Sequence, residues 1–197
     1  MLCQNRYFLC MPPIFKNAAD FICQYLIVAC LLAKFNLYFG KIIMWLHKVL
    51  HQEWIKIPLK NLERDAAIHE LLEIVGHEVG DMEQIYQAVL AREKVMTTGV
   101  GNAIAIPHCK STMCSQFVIA LGISTQGIDF NAVDNKKVNL IFLLLGPEDA
   151  PNIHIKLLSR ISRILNREEI RHKLVNCKSG REAHQLIESA EKDFQEV

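Results

Sequence analysis

The chain has almost no excess of charge of either sign: 22 Lys plus Arg stand against 21 Asp plus Glu, a formal net charge of +1. That balance excludes a long basic arm for nucleic acid and an acidic tail, so no nucleic-acid partner is expected. Cysteine occurs seven times but never as CxxC. An odd, scattered set is no disulfide scaffold, which points to a reducing, cytoplasmic compartment. The apolar run from Phe21 to Ala33 is 13 residues long and contains Gln24, short of the ~20 that a spanning helix needs. Lys34, Phe35 and Asn36 follow it, so there is no small-residue cleavage site and export is not expected. Internal repeats and low-complexity tracts are also lacking.

What is there divides near Met44. The first 43 residues carry +3, and 30 of them are apolar, with eight of the 15 aromatics and the cysteines Cys3, Cys10, Cys23 and Cys30. The remaining 154 carry −2 and have an ordinary globular balance. Two readings of the first piece stand. It is either an interfacial or marginal membrane segment held by Lys34, Lys41 and Lys48, or a leader absent from the mature protein, with Met44 as an alternative start. Membrane contact is expected only if the leader is retained. Residues 44–197 are enough for one typical domain, which buries roughly two thirds of its unfolded surface.

Within that domain a short extended run, Trp54 to Leu59, ends at Pro58, and Leu62, Ala66, Leu71, Leu72 and Val75 then recur near helical spacing. Asp81 with Gln84 reads as an N-cap with its capping-box partner, opening a helix through Ile85 and Val89 to about Lys94. A Thr/Gly-rich loop, Thr97 to Asn102, leads into a buried strand, Ala103 to Ile106. Phe117 to Ile123 and Val138 to Leu145 are apolar, β-branched runs of strand length, with a bend and a short strand expected at Gly127 to Phe130. Ile153, Leu157, Leu158, Ile161, Ile164 and Leu165 make an amphipathic helix, and two shorter helices follow, Arg167 to Val175 and Arg181 to Lys192. Helices before, between and after strands predict an α/β class: a mixed β-sheet flanked by helices on both faces, in a single domain. Ligand chemistry is expected at the strand ends, in the loops holding His108 and His154.

The most specific string is Glu93, six residues, Val100 and Gly101, two residues, then Ile104, Ala105, Ile106, Pro107, His108 and Cys109. A histidine is a neutral nucleophile near pH 7, and imidazole leaves readily once protonated. Pro107 fixes the chain as it leaves the strand, presenting His108 at a sheet end rather than within the ladder. Gly99 and Gly101 let the backbone turn tightly and aim N–H groups at a phosphoryl oxygen. Cys109 is a poor partner for His108 as base, because adjacent residues of an extended chain point to opposite sides. Cys109 and Cys114 beside His108 lack the second downstream ligand pair of a zinc site, so no metal and no cofactor is expected.

This string resembles the phosphohistidine signature of the enzyme IIA domains of the fructose/mannitol type in the bacterial phosphoenolpyruvate-dependent phosphotransferase system. The resemblance runs roughly from Lys56 to Ile187 and takes in the nitrogen-regulatory IIA proteins. It implies that His108 is phosphorylated, at Nε2, by a histidine phosphocarrier protein. It also implies active-site roles for Arg92, sixteen residues before His108, and for His154, 46 residues after it. The guanidinium of Arg92 would neutralise charge on the transferring phosphoryl group; the plain alternative is an Arg ending a helix, favoured by the macrodipole. For His154 the plain alternative is a core histidine bonded to a backbone carbonyl. Thr97 and Thr98 are equally readable as phosphate-contacting hydroxyls and as turn formers. Cys109 departs from the family, which often has Gly there.

The expected function is a phosphoryl carrier rather than an independent turnover catalyst. Its output is either regulatory, through a target protein that reads the state of His108, or delivery of the phosphoryl group to a separate IIB domain. With no fused IIB or IIC segment in the chain, regulation is the favoured expectation. A metal hydrolase built on His108 and His154 lacks nearby carboxylate ligands.

Overall fold

The computed structural model describes residues 45–193, so the readings of the apolar leader lie outside the described residues. Six strands form one mixed sheet: β1 (Ile55–Lys56), β2 (Gly99–Gly101), β3 (Ile104–Ala105), β4 (His108–Lys110), β5 (Val118–Ile128) and β6 (Val138–Gly146). Their spatial order is β1-β5-β6-β3-β2, with β4 also on β6. β5 and β6 are antiparallel, β1 runs parallel to β5, and β3 and β4 run parallel to β6. Six helices cover the sheet: α1 (Leu46–Val49), α2 (Arg64–Val75), α3 (Met82–Val95), α4 (Pro151–Leu165), α5 (Glu168–Asn176) and α6 (Gly180–Lys192).

The two-residue period of β6 sorts its side chains into two cores. Ile141, Leu143 and Leu145 pack with Ile68, Leu71 and Leu72 of α2 and Ile85 and Val89 of α3. Leu140, Phe142 and Leu144 face the other way, onto Leu46 of α1, Leu157 and Ile161 of α4, Leu174 of α5 and Ile187 of α6. Each such side chain, taken fully out of water, contributes about 1.5–3 kcal/mol. The sheet is therefore mixed and covered on both faces, as the order of apolar patterns predicts.

Three local expectations change. The runs at Phe117 and Gly127 belong to one eleven-residue strand, because pairing with β6 continues from Ile123 to Ile128 across an irregularity in register. The strand expected at Ala103 to Ile106 is only Ile104–Ala105 and resumes after Pro107 as β4. Leu62 is 48% exposed and precedes α2, whose buried stripe starts at Ala67 and Ile68.

Helix ends follow their sequence signals. Asp81 accepts the Gln84 N–H at 3.0 Å and caps α3, and Ser179 accepts the Glu182 N–H at 3.2 Å and caps α6. A less legible device holds α1. Glu191, 2% exposed in the last turn of α6, accepts the N–H groups of Leu46 and His47 at 2.7 and 2.8 Å. It also accepts His47 Nδ1 at 2.6 Å and Arg160 Nη1 at 3.2 Å. His184 Nε2 donates to the His47 carbonyl at 2.9 Å, and the Arg160 guanidinium lies over the Trp45 ring at 5.2 Å.

Candidate functional site

β2 pairs with β3 alone, so β4 forms the sheet edge next to β6. At that edge an open cleft of about 430 Å³ is lined by Ala88 and Arg92 of α3, His108, Cys109 and Lys110 of β4, Glu148, and Pro151, His154, Ile155 and Leu158 of α4. Helices from opposite faces meet here because no further strand among the described residues separates them.

His108 does not leave the ladder as the sequence suggests. It is paired in register with Leu144, and Leu144 N–H donates to the Pro107 carbonyl at 3.0 Å. The proline interrupts the strand for only two residues, since its carbonyl remains available to β6 even though its nitrogen has no proton. His108 Nδ1 lies 2.8 Å from the Ile106 carbonyl. A carbonyl only accepts, so Nδ1 carries the proton and Nε2 keeps the lone pair. Burial pushes the imidazole below its ordinary basicity and the Arg92 charge pushes it further, against the raising effect of the Ile106 carbonyl. The ring is thereby held neutral, with one defined nucleophilic nitrogen.

His154 lies beside it, ring centroids 5.4 Å apart, with Phe117 on another side at 6.2 Å. It is 4% exposed, and neither ring nitrogen has a hydrogen-bond partner among the described residues. The backbone carbonyl that would make it an ordinary core histidine is absent there. Burial, then the neighbouring His108 and Lys110, lowers its pKa to about 4. A buried polar group without a partner costs about 1–3 kcal/mol, which a fold tolerates where the group has another use.

Arg92 both ends a helix and borders the cleft. Nη1 donates to the Met96 carbonyl at 2.9 Å, closing the end of α3, while the side chain lines the cleft. Cys109 points to the opposite core, and burial pushes its thiol up to about 12, with Cys114 adding to the effect. It is no nucleophile.

The residues expected to touch phosphate through their loop are elsewhere. Thr98 donates its hydroxyl to the buried carboxylate of Glu93 at 2.5 Å, and its N–H goes to the same group at 2.9 Å. Thr97 Oγ1 donates to the Phe130 carbonyl at 2.9 Å and accepts the Gly99 N–H at 3.1 Å. Gly99 admits the backbone of Ala132, which a Cβ would meet at 2.8 Å, and Gly101 turns the β2–β3 hairpin at φ +88°. None of the four lines the cleft. Their hydroxyls and amides are used to frame β2 and β3, which is also the work of Glu93 in the signature string.

Lys110 is the basic cleft residue that the sequence reading passed over. The signal was present: two residues beyond His108 on an extended chain is the same side of the strand.

The family described as "Phosphoenolpyruvate-dependent sugar phosphotransferase system, EIIA 2" matches residues 48–190, and the chain belongs to it. Over 138 residues it is 33% identical to the PTS system fructose-specific EIIABC component of Bacillus subtilis, covering 69% of this chain and only 22% of that protein. Over 137 residues it is 36% identical to the PTS system fructose-specific EIIA component of Haloferax volcanii, covering 68% of this chain and 89% of that one. The crystal structure of nitrogen regulatory protein IIA-Ntr from Neisseria meningitidis superposes with a TM-score of 0.68 at 26% identity, covering 72% of this chain and 97% of that one. Among the described residues no helix is long and apolar enough to cross a membrane.

Proposed function

We propose that the protein is a phosphoryl carrier of the phosphotransferase system, charged at Nε2 of His108 by a histidine phosphocarrier protein in the cytoplasm. The observation that carries this reading is the bond from His108 Nδ1 to the Ile106 carbonyl, because it leaves Nε2 unprotonated at the lip of the cleft. The Nε2 lone pair forms the new P–N bond as the P–N bond of the donor histidine breaks, and the donor imidazole takes back the electron pair. Both groups are imidazoles, so the exchange needs no net proton. Arg92 and His154 face the transferring group, the first as a fixed positive charge and the second as an N–H donor, which is most of what such a transfer requires. Residues 44–197 form the working domain.

The favoured output is regulatory. A phosphoryl group adds about −1.5 to −2 charges at pH 7, so a target that covers His108 binds the uncharged form more tightly unless it brings its own cations. The second reading, delivery to a IIB domain, draws support from the fructose-specific names of the two relatives, one of them an EIIABC component.

The test is reconstitution with enzyme I, histidine phosphocarrier protein and labelled phosphoenolpyruvate. Acid-labile, base-stable label is expected on His108 and none on His108→Ala; full labelling of that variant would overturn the assignment. Pull-downs with His108→Ala then seek a target. Transfer of label to a fructose-specific IIB domain, with no target captured, would favour transport.

A further inference from the structure

Lys110 is exposed at the end of β4, opposite Gly146 of β6. It lines the cleft with His108 and Arg92 and has no ion pair among the described residues. Its charge reaches the buried ring of His154, where it is one of the groups that lower that imidazole's basicity. Two cations from different elements, Arg92 and Lys110, therefore line the cleft of one edge-strand histidine. Only the exposed Glu148 brings negative charge to the cleft lining.

We propose that Lys110 contacts the phosphoryl group carried by His108 and sets how strongly it is held, and so the direction of its exchange with the donor protein. The proposal rests on the assignment of His108 as the acceptor. Arg92 is already engaged in closing α3 through the Met96 carbonyl, so its guanidinium is fixed in place and its freedom to follow the phosphoryl group is limited. The ammonium of Lys110 sits on a flexible stem at the lip, free to follow the phosphoryl oxygens after transfer. A positive charge in a partly solvated cleft favours the phosphorylated state over the unphosphorylated one. Lys110 therefore acts on the transfer equilibrium, whereas Arg92 and His154 act mainly on the rate.

The experiment uses the full chain and a bacterial histidine phosphocarrier protein labelled through enzyme I. The fraction of label on each protein is measured at equilibrium for the wild type, Lys110→Gln and Lys110→Arg. The equilibrium constant is expected to fall roughly three- to tenfold in Lys110→Gln and to stay within about twofold in Lys110→Arg. In the uncharged protein, His154 should titrate at higher pH in Lys110→Gln, read by NMR of the imidazole; a purely structural lysine would move neither quantity. Label on His108 with an unchanged equilibrium in Lys110→Gln would overturn the role of Lys110 and leave His108 standing. Failure of the wild type to take label at His108 would instead overturn the acceptor assignment.

Discussion

Two buried polar groups on the same face of the sheet are treated in opposite ways. Glu191 is surrounded by four donors, from Leu46, His47 and Arg160. His154, on the same helix as Arg160, is almost equally buried and has none among the described residues. Burial costs both groups their water, and only the first recovers it in hydrogen bonds. The satisfied carboxylate ties α1, α4 and α6 together, while the unsatisfied imidazole faces the cleft beside His108. Complete pairing is found in the frame of this domain, and the unpaired imidazole is found beside the cleft.

The largest effect that would sharpen this contrast comes from removing Glu191. Glu191→Ala strands Arg160 and two helix N–H groups, and should cost about 3–5 kcal/mol in denaturant unfolding. Transfer by the folded protein should remain within about twofold of wild type. A stable variant, or one that folds and fails to transfer, would break the comparison.

The pH dependence of stability should reveal the other half. The ordinary His pKa is 6.5, and in the folded chain His154 is lowered to about 4. The unfolded state therefore binds the extra proton between those values. The stability tied to keeping His154 neutral is complete above about pH 6.5 and is lost as pH falls toward 4, a change of up to about 3 kcal/mol. His108, lowered in the same direction, adds to it. His154→Leu should flatten most of that slope and leave stability at pH 7 unchanged or higher, because no hydrogen bond is lost. The same variant, and Arg92→Ala, should slow transfer to His108 by roughly 10²-fold. A strong loss of stability at pH 7 in His154→Leu would return His154 to the frame.

The smallest effect belongs to Thr98. Thr98→Ala should cost about 1 kcal/mol, for the bond to Glu93, with transfer rates within about twofold. A rate loss as large as that of Arg92→Ala would place this loop at the phosphate after all.

Much of the domain was legible because it rests on local periodicity. The stripe through Leu157, Ile161 and Ile164 requires one buried helical face, and the runs around Val118 and Val138 require buried strands. Asp81 with Gln84 marks a helix start through a contact between neighbours in sequence. The spacing before Pro107 and His108 draws attention to that histidine for the same reason, since its neighbours in the chain are its neighbours in space.

Contacts between residues far apart in the chain were not legible. That Thr97 answers to Phe130, 33 residues away, depends on which partner the fold brings within 3 Å. The continuation of the edge strand past Pro107 depends on the register of β6. The clamp on α1 joins residues 145 apart in sequence. The amino-acid sequence by itself determined the class of fold and put forward His108 as the residue to test, because both rest on short-range pattern. Only the tertiary structure decided the rest: which nitrogen of His108 keeps its lone pair, that His154 is left without a partner, and that Lys110 shares the cleft. Those are facts of distance and desolvation, which exist only once the chain has closed on itself.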